Sequence, residues 1–311
     1  MSAIRINGIR VGHQMFHLRQ YPDSPESGAT PLLFASLARD KINLPCLGLE
    51  DSGFGLSASC CLEGEVPPDH PEQPACMVSV YPHGSKSATL GYLLALFGKQ
   101  DIRFLHMVSS NAMISFVIEQ RDKDRVLAML ENTFDLPPTH TPYEPSFHEE
   151  TAEFVKKRYQ ETKAYFREKK IKTYGFSLES GLTLLGLSRA REQLETAGRA
   201  ICDMDEKFYF SSAFLHDGEY HLYSLIPGEA GGAAGLFAGM DPRLDTVDLV
   251  TFHGPHFGDR FGIFNSAAAC LELAGLRLVL AGCTGASISL VLPEGQGAGA
   301  LPALEKGFET P

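Results

Sequence analysis

From Ala88 to Lys99 the apolar residues Leu90, Leu93, Leu94 and Phe97 recur at i, i+3, i+4 and i+7, which sets them on one face of a helix. An apolar run, CMVSVY from Cys76, comes before this helix. Two strands follow it, the second in the alternating stretch NAMISFVIE from Asn111, and Val126 and Leu130 then mark another helix. Later in the chain VDLVTF from Val247 leads into a second such face, made of Ile263, Ala267, Cys270, Leu271 and Ala274. It is followed by GASISLVLPE from Gly285 and by Leu301, Leu304 and Phe308 at helical spacing. The order strand, helix, strand, strand, helix therefore occurs twice. An ungapped offset of 174 lays Ile102 on Leu276, Arg103 on Arg277, Ile114 on Ile288, Ser115 on Ser289 and Val117 on Val291.

Two further segments carry the same order in weaker form. FHLRQY from Phe16 reads as a strand, and Pro31 opens a helix bearing Phe34 and Leu37. LPCLGL and FGLSASCCL then make a hairpin across Asp51, Ser52 and Gly53. Prolines 67, 68, 71 and 74 rule out a second helix there, because each removes a backbone donor and collides with the preceding turn. After Gly181, LTLLGL reads as a strand and Ala190, Leu194, Ala197, Ile201 and Met204 as a helical stripe. FYFSSAF and YHLYSLI form a hairpin on the Asp217-Gly218 turn. The lead-ins IRINGI at Ile4 and IKTYGF at Ile171 lie 167 apart. The two offsets differ by a loop insertion, so the pattern implies a half of roughly 145 residues, itself two modules, duplicated in tandem. Residues 149–170 read as a charged connector helix with Val155, Tyr159, Thr162 and Phe166 on a narrow stripe.

Composition narrows the function classes. The 311 residues are 44% hydrophobic and 21% charged, the balance of an ordinary globular chain that can bury a core. Net charge is −11, from 27 basic and 38 acidic residues, which argues against a nucleic-acid partner because phosphate contacts need clustered Lys and Arg. No apolar run approaches the length of a membrane span and the N-terminus lacks a signal-type apolar region, so the reading is a soluble, cytoplasmic protein with no membrane partner. The seven cysteines lack paired spacing and point to reduced thiols. Cys60 and Cys61, adjacent on a predicted strand, face opposite ways and make a poor metal pair.

The lead-in INGI before FHLRQYPDSP, the run QDIRFLHMVSSNAMISFVIEQRDKDRVLAML and the run AGLRLVLAGCTGASISLVLPEG carry a family likeness. A module of this order resembles the ACT domain, and the pair resembles the tandem ACT region of aspartokinases. The resemblance implies an α+β fold of ferredoxin-like modules in two tandem pairs: residues 1–73, 74–147, 171–244 and 245–311, with the connector at 148–170. It also implies binding of a small amino acid or related metabolite at module interfaces, no cofactor, and a homo-oligomer or a partner enzyme. No phosphate-cradling Gly-Lys pattern exists in the sequence and the lead-in begins at Ile4, so the expectation is a regulatory protein that is not itself an enzyme. The alternative is a structural or oligomerisation protein with empty sites.

An amino acid's carboxylate is best met by backbone N–H groups at a helix start, and its ammonium by a nearby acceptor. On the ACT reading, the loop of HGPHFGDRFGI supplies Gly258, Phe261, Gly262 and Ile263 at such a start, with Asp259 as acceptor. The turn residues Ser109, Ser110 and Asn111 are expected to add contacts from a facing second module. Asp23 and Ser24 mark a second candidate loop in the first. His253, His256 and Asp259 also suggest a metal or acid/base site, but three converging ligands are not evident and solvated histidines are the simpler reading. The segment GEAGGAAGLFAGM from Gly228 lacks the lysine of a phosphate loop and reads as a joint or a short small-residue helix. Cys283 has no visible base partner that would make it a nucleophile.

Overall fold

The structure is a computed structural model that describes residues 6–21, 32–51, 55–63, 73–81, 83–137, 170–228, 233–237, 239–255, 257, 261–284 and 287–310. Its order begins with β1 (Gly8–Gln20), α1 (Leu32–Arg39), β2 (Cys46–Asp51) and β3 (Leu56–Glu63). Next come β4 (Gln73–Tyr81), α2 (Ser87–Lys99), β5 (His106–Ser109), β6 (Ile114–Glu119) and α3 (Lys123–Glu131). The later half runs β7 (Ile171–Lys172), β8 (Phe176–Ala190), α4 (Leu194–Asp203), β9 (Phe210–His216), β10 (Glu219–Ile226) and the short α5 (Ala233–Leu236). It closes with β11 (Arg243–His253), α6 (Ile263–Leu273), β12 (Leu280–Cys283), β13 (Ser287–Pro293), α7 (Gly297–Leu304) and β14 (Phe308–Glu309).

Twelve strands close into one ring in the order β1-β3-β2-β12-β13-β11-β8-β10-β9-β5-β6-β4. Each strand–helix–strand–strand unit contributes three neighbours, its first, third and second strands. Successive units join through their first strands, β1 with β4 and β8 with β11, while β2 pairs with β12 and β5 with β9. Every edge of the twelve is thereby paired, which removes the exposed edges that small sheets must otherwise protect.

Alternation along the strands divides the apolar residues into three cores. Val78, Val80, Phe116 and Leu222 point outward under α2, α3 and α4. Leu47, Leu49, Cys60 and Leu290 point outward under α1, α6 and α7. Cys46, Cys61, Phe210, Phe214, Leu249 and Val291 point inward and fill the ring. Cys60 and Cys61 fall on opposite faces as their adjacency requires. Gly282 lets the two walls meet, since a Cβ there would come within 2.6 Å of Val108 and Phe210 across the interior.

The predicted strand pairs β2–β3 and β9–β10 form, the latter about the Asp217-Gly218 turn, and the helical faces around Leu90–Phe97 and Ile263–Ala274 are helices; Ser52 and Gly53 of the other predicted turn lie outside the described residues. Ala190 differs from expectation. It ends β8, a short 3-10 turn follows, and the helix begins at Leu194. The described structure is mixed α/β with a largely antiparallel sheet, and among the described residues no helix is long and apolar enough to cross a membrane. The connector helix expected over 149–170 lies outside the described residues except for Lys170.

Candidate functional site

The starts of α2 and α6 each meet a neighbouring unit, and the two contacts are built differently. At the α2 start the third unit closes in. Ser87 N donates to the Glu206 carbonyl and Ser87 Oγ accepts from Glu206 N, both at 2.9 Å. Phe208 N donates to the Ser85 carbonyl at 3.0 Å. Ser85 N donates to His83 Nδ1 at 2.9 Å, so Nε2 carries the proton and donates to the Ser110 carbonyl at 2.6 Å. The neutral ring fits this wiring, and burial lowers its pKa. It stacks on Phe208 with centroids 5.0 Å apart.

Ser109 and Ser110, expected to offer contacts to a ligand, are engaged here. Ser109 Oγ accepts from Ser211 N at 2.7 Å, and Ser110 Oγ accepts from Ala112 and Met113 N–H groups within its own turn. Asn111 is exposed at the tip of that turn. A carboxylate arriving at the α2 start would have to displace the backbone of residues 206–208.

Between the first and fourth units the helices touch more loosely. Phe34 of α1 meets Phe264 of α6 edge-on at 4.8 Å. Gly262, the residue before α6, adopts φ 78°. A side chain at this position would be strained by that φ and would stand 3.1 Å from Ala38 of α1, so glycine suits both the turn and the close approach. Phe261 is 42% exposed beside it, whereas Ile263 is buried against the helix-covered face. Gly258, Asp259, Asp23 and Ser24 lie outside the described residues. The structure does not bring 109–111 together with 261–263: the former join the second unit to the third, and the latter face the first unit. Among the described residues no group of three His, Cys, Asp or Glu side chains could hold a metal, and His253 stands apart from any such set.

The barrel interior holds polar groups that the sequence reading did not single out. His17 shares hydrogen bonds with Ser59 Oγ at 2.8 Å and Gln73 Oε1 at 3.2 Å, and burial lowers its pKa to about 4. His106 is fully buried, stacked on Phe214, and its pKa is pushed well down by burial. Burial raises the Cys46, Cys60 and Cys61 thiols far above the thiolate range, so none of them is a nucleophile. Glu50 and Arg19 sit on the same inner face. Their signal in the sequence is a carboxylate and a guanidinium in phase with inward-facing positions of otherwise apolar strands.

With this geometry the chain is similar to known structures although no family model and no curated protein matches its sequence. A crystal structure of aspartate kinase from Synechocystis matches 99% of this chain and 56% of its own length, with a TM-score of 0.71 and 14% identity. The fold resembles that of an aspartate kinase. The chain spans little more than half the length of that enzyme. The ligand-free regulatory subunit of aspartate kinase from Thermus thermophilus matches 44% of this chain and 99% of its own, at 14% identity and a TM-score of 0.40. The expectation of a protein that is not an enzyme is corrected by the first match, because the chain that shares the fold over nearly all of these residues is an aspartate kinase.

Proposed function

We propose that this chain is an amino-acid-sensing regulatory region of an aspartate-kinase-like enzyme, built of four ACT-like modules in two tandem pairs. The unit order and the fold likeness support the module reading; the difference between the two helix starts supports the placement of the ligand. The α2 start is filled by backbone of the third unit, whereas the α6 start follows a left-handed glycine that lies against α1. The ligand's carboxylate therefore meets the N–H groups at the α6 start, its ammonium is held by Asp259, and Phe261 lies alongside. The loop of Asp23 and Ser24 in the first module is the second candidate for such a site.

Isothermal titration with the amino acids tests this placement. Asp259→Ala and Phe261→Ala each weaken the tightest binder by roughly tenfold or more, the cost of losing a charged hydrogen bond or a buried contact. Unchanged affinity in both variants removes the placement.

A further inference from the structure

At one end of the ring, β1 and β2 of the first unit face β9 and β10 of the third, two units that share no strand pairing. Arg19, Tyr21 and Glu50 come from one side, and His216, His221 and Tyr223 from the other. Glu50 is 2% exposed, and the Arg19 side chain 14%. Arg19 Nη1 donates to the Leu215 carbonyl. Its Nη2 stands 3.7 Å from Glu50 Oε1, and His221 Nδ1 stands 3.7 Å from Glu50 Oε2, both beyond hydrogen-bond reach. Arg19 Nε, Arg19 Nη2 and Glu50 Oε2 are thus buried without a hydrogen-bond partner.

The pattern of what is left open is specific. Nε and Nη2 form the side-on fork of a guanidinium, which matches the two oxygens of a carboxylate. Beside the fork, the open Glu50 oxygen is an acceptor for a cationic donor. Burying a charged pair that does not close is costly, and a bound group that completes both sets of hydrogen bonds offsets that cost. The fold does not require the charges. The 167-residue offset lays Gly186 on Arg19, and the matching pairings, Glu50 with Ser57 and Phe214 with His221, lay Phe214 on Glu50. The third unit therefore closes the same position with an aromatic ring and a glycine.

We propose that this end of the ring binds a small molecule carrying both a carboxylate and an ammonium group, with its carboxylate on the Nε/Nη2 fork of Arg19 and its ammonium on Glu50. The Tyr21 ring, 45% exposed, lies over the guanidinium at 4.8 Å and against His216 at 4.8 Å. Because the site joins two units that no strand pairing connects, occupancy ties the walls of the ring together at that end. The inference extends the amino-acid-sensing reading to a second place, and the two fail separately.

The test is isothermal titration of the whole chain with the free amino acids, each compared with its carboxamide and its decarboxylated amine. The expected result is saturable binding of a free amino acid that weakens roughly tenfold or more when the carboxylate is removed, as loss of a bidentate charged contact requires. Arg19→Lys, which keeps the charge and removes the fork, weakens it similarly without lowering the melting temperature. Glu50→Gln weakens it and flattens its dependence on pH around neutrality. Absence of saturable binding overturns the proposal, as does equal affinity for acid and carboxamide, a comparison that needs no variant. Binding that is lost in Asp259→Ala and unchanged in Arg19→Lys overturns it too, and leaves the α6 site standing.

Discussion

Single residues inside the ring set its response to pH. Burial lifts the Glu50 carboxyl from its ordinary value to about 7, against the opposing pull of Arg19 and a contact from the Tyr223 hydroxyl. A carboxyl whose folded pKa lies above its unfolded one favours the folded state fully below the unfolded value, and that contribution is lost as pH rises through the folded value. His17 runs the other way: its pKa is lowered to about 4, so its contribution is full above its ordinary pKa and is lost as pH falls toward 4. The two windows, from 4.5 to about 7 for Glu50 and from about 4 to 6.5 for His17, overlap with opposite slopes, so denaturant melts of the unaltered chain change little across them. Glu50→Gln removes the fall between 4.5 and about 7, of the order of 3 kcal/mol at most, and leaves stability rising with pH through the His17 window; an unchanged pH profile contradicts the assignment. Gly48 faces the same interior, and a Cβ there would collide with His106 and Phe214, so Gly48→Ala costs about 1–3 kcal/mol in a chemical melt. Such positions were only partly legible in the sequence. Ser110 lies in the polar turn as read, but Ser109 ends β5, and its hydrogen bond to Ser211 of the third unit depends on β5 pairing with β9, a non-local choice that no local pattern encodes. Glu50 was visible as a charge in an apolar strand, yet which charge faces it is decided by the diagonal meeting of β2 with β10.

Among elements, the α2–α4 pair is the tightest helix contact. Gly91 and Gly98 of α2 and Gly198 of α4 let the backbones touch: a Cβ on Gly91 would strike Cys202 N and the Gly198 carbonyl, and one on Gly198 would strike Ala95 N. Backbone cannot give way as a flexible side chain does, so Gly198→Ala separates the helices and costs roughly 2–3 kcal/mol. Gly299 in α7 supplies the contrast. Its nearest neighbour to an added Cβ is a Leu276 methyl at 3.8 Å, and Gly299→Ala is expected to stabilise by about 0.5–1 kcal/mol because glycine is the poorer helix former. A loss at Gly299 equal to that at Gly198 in paired thermal melts contradicts this reading of the crossing. The helical stripes of α2 and α6 were legible because period 3.6 dominates their sequences. Ala190 was misplaced because an apolar residue at the right spacing cannot report that β8 runs on beside β10 and that a 3-10 turn intervenes.

For the whole molecule, the repeated unit was readable in the sequence and the closed ring was not. Two offsets reveal four similar units, but closure depends on β2 meeting β12 and β5 meeting β9, pairings between units that are not neighbours in one half. The likeness to part of an aspartate kinase is one of fold, at 14% identity, and no local motif in the sequence carries it. Whether the chain senses an amino acid is tested most directly by a thermal-shift screen of the purified chain against the twenty amino acids. Ligand at about a hundredfold over its dissociation constant adds roughly 2.7 kcal/mol to the folded state. The account predicts a clear rise in melting temperature for one or a few related amino acids; a flat response to all of them at saturating concentration contradicts it.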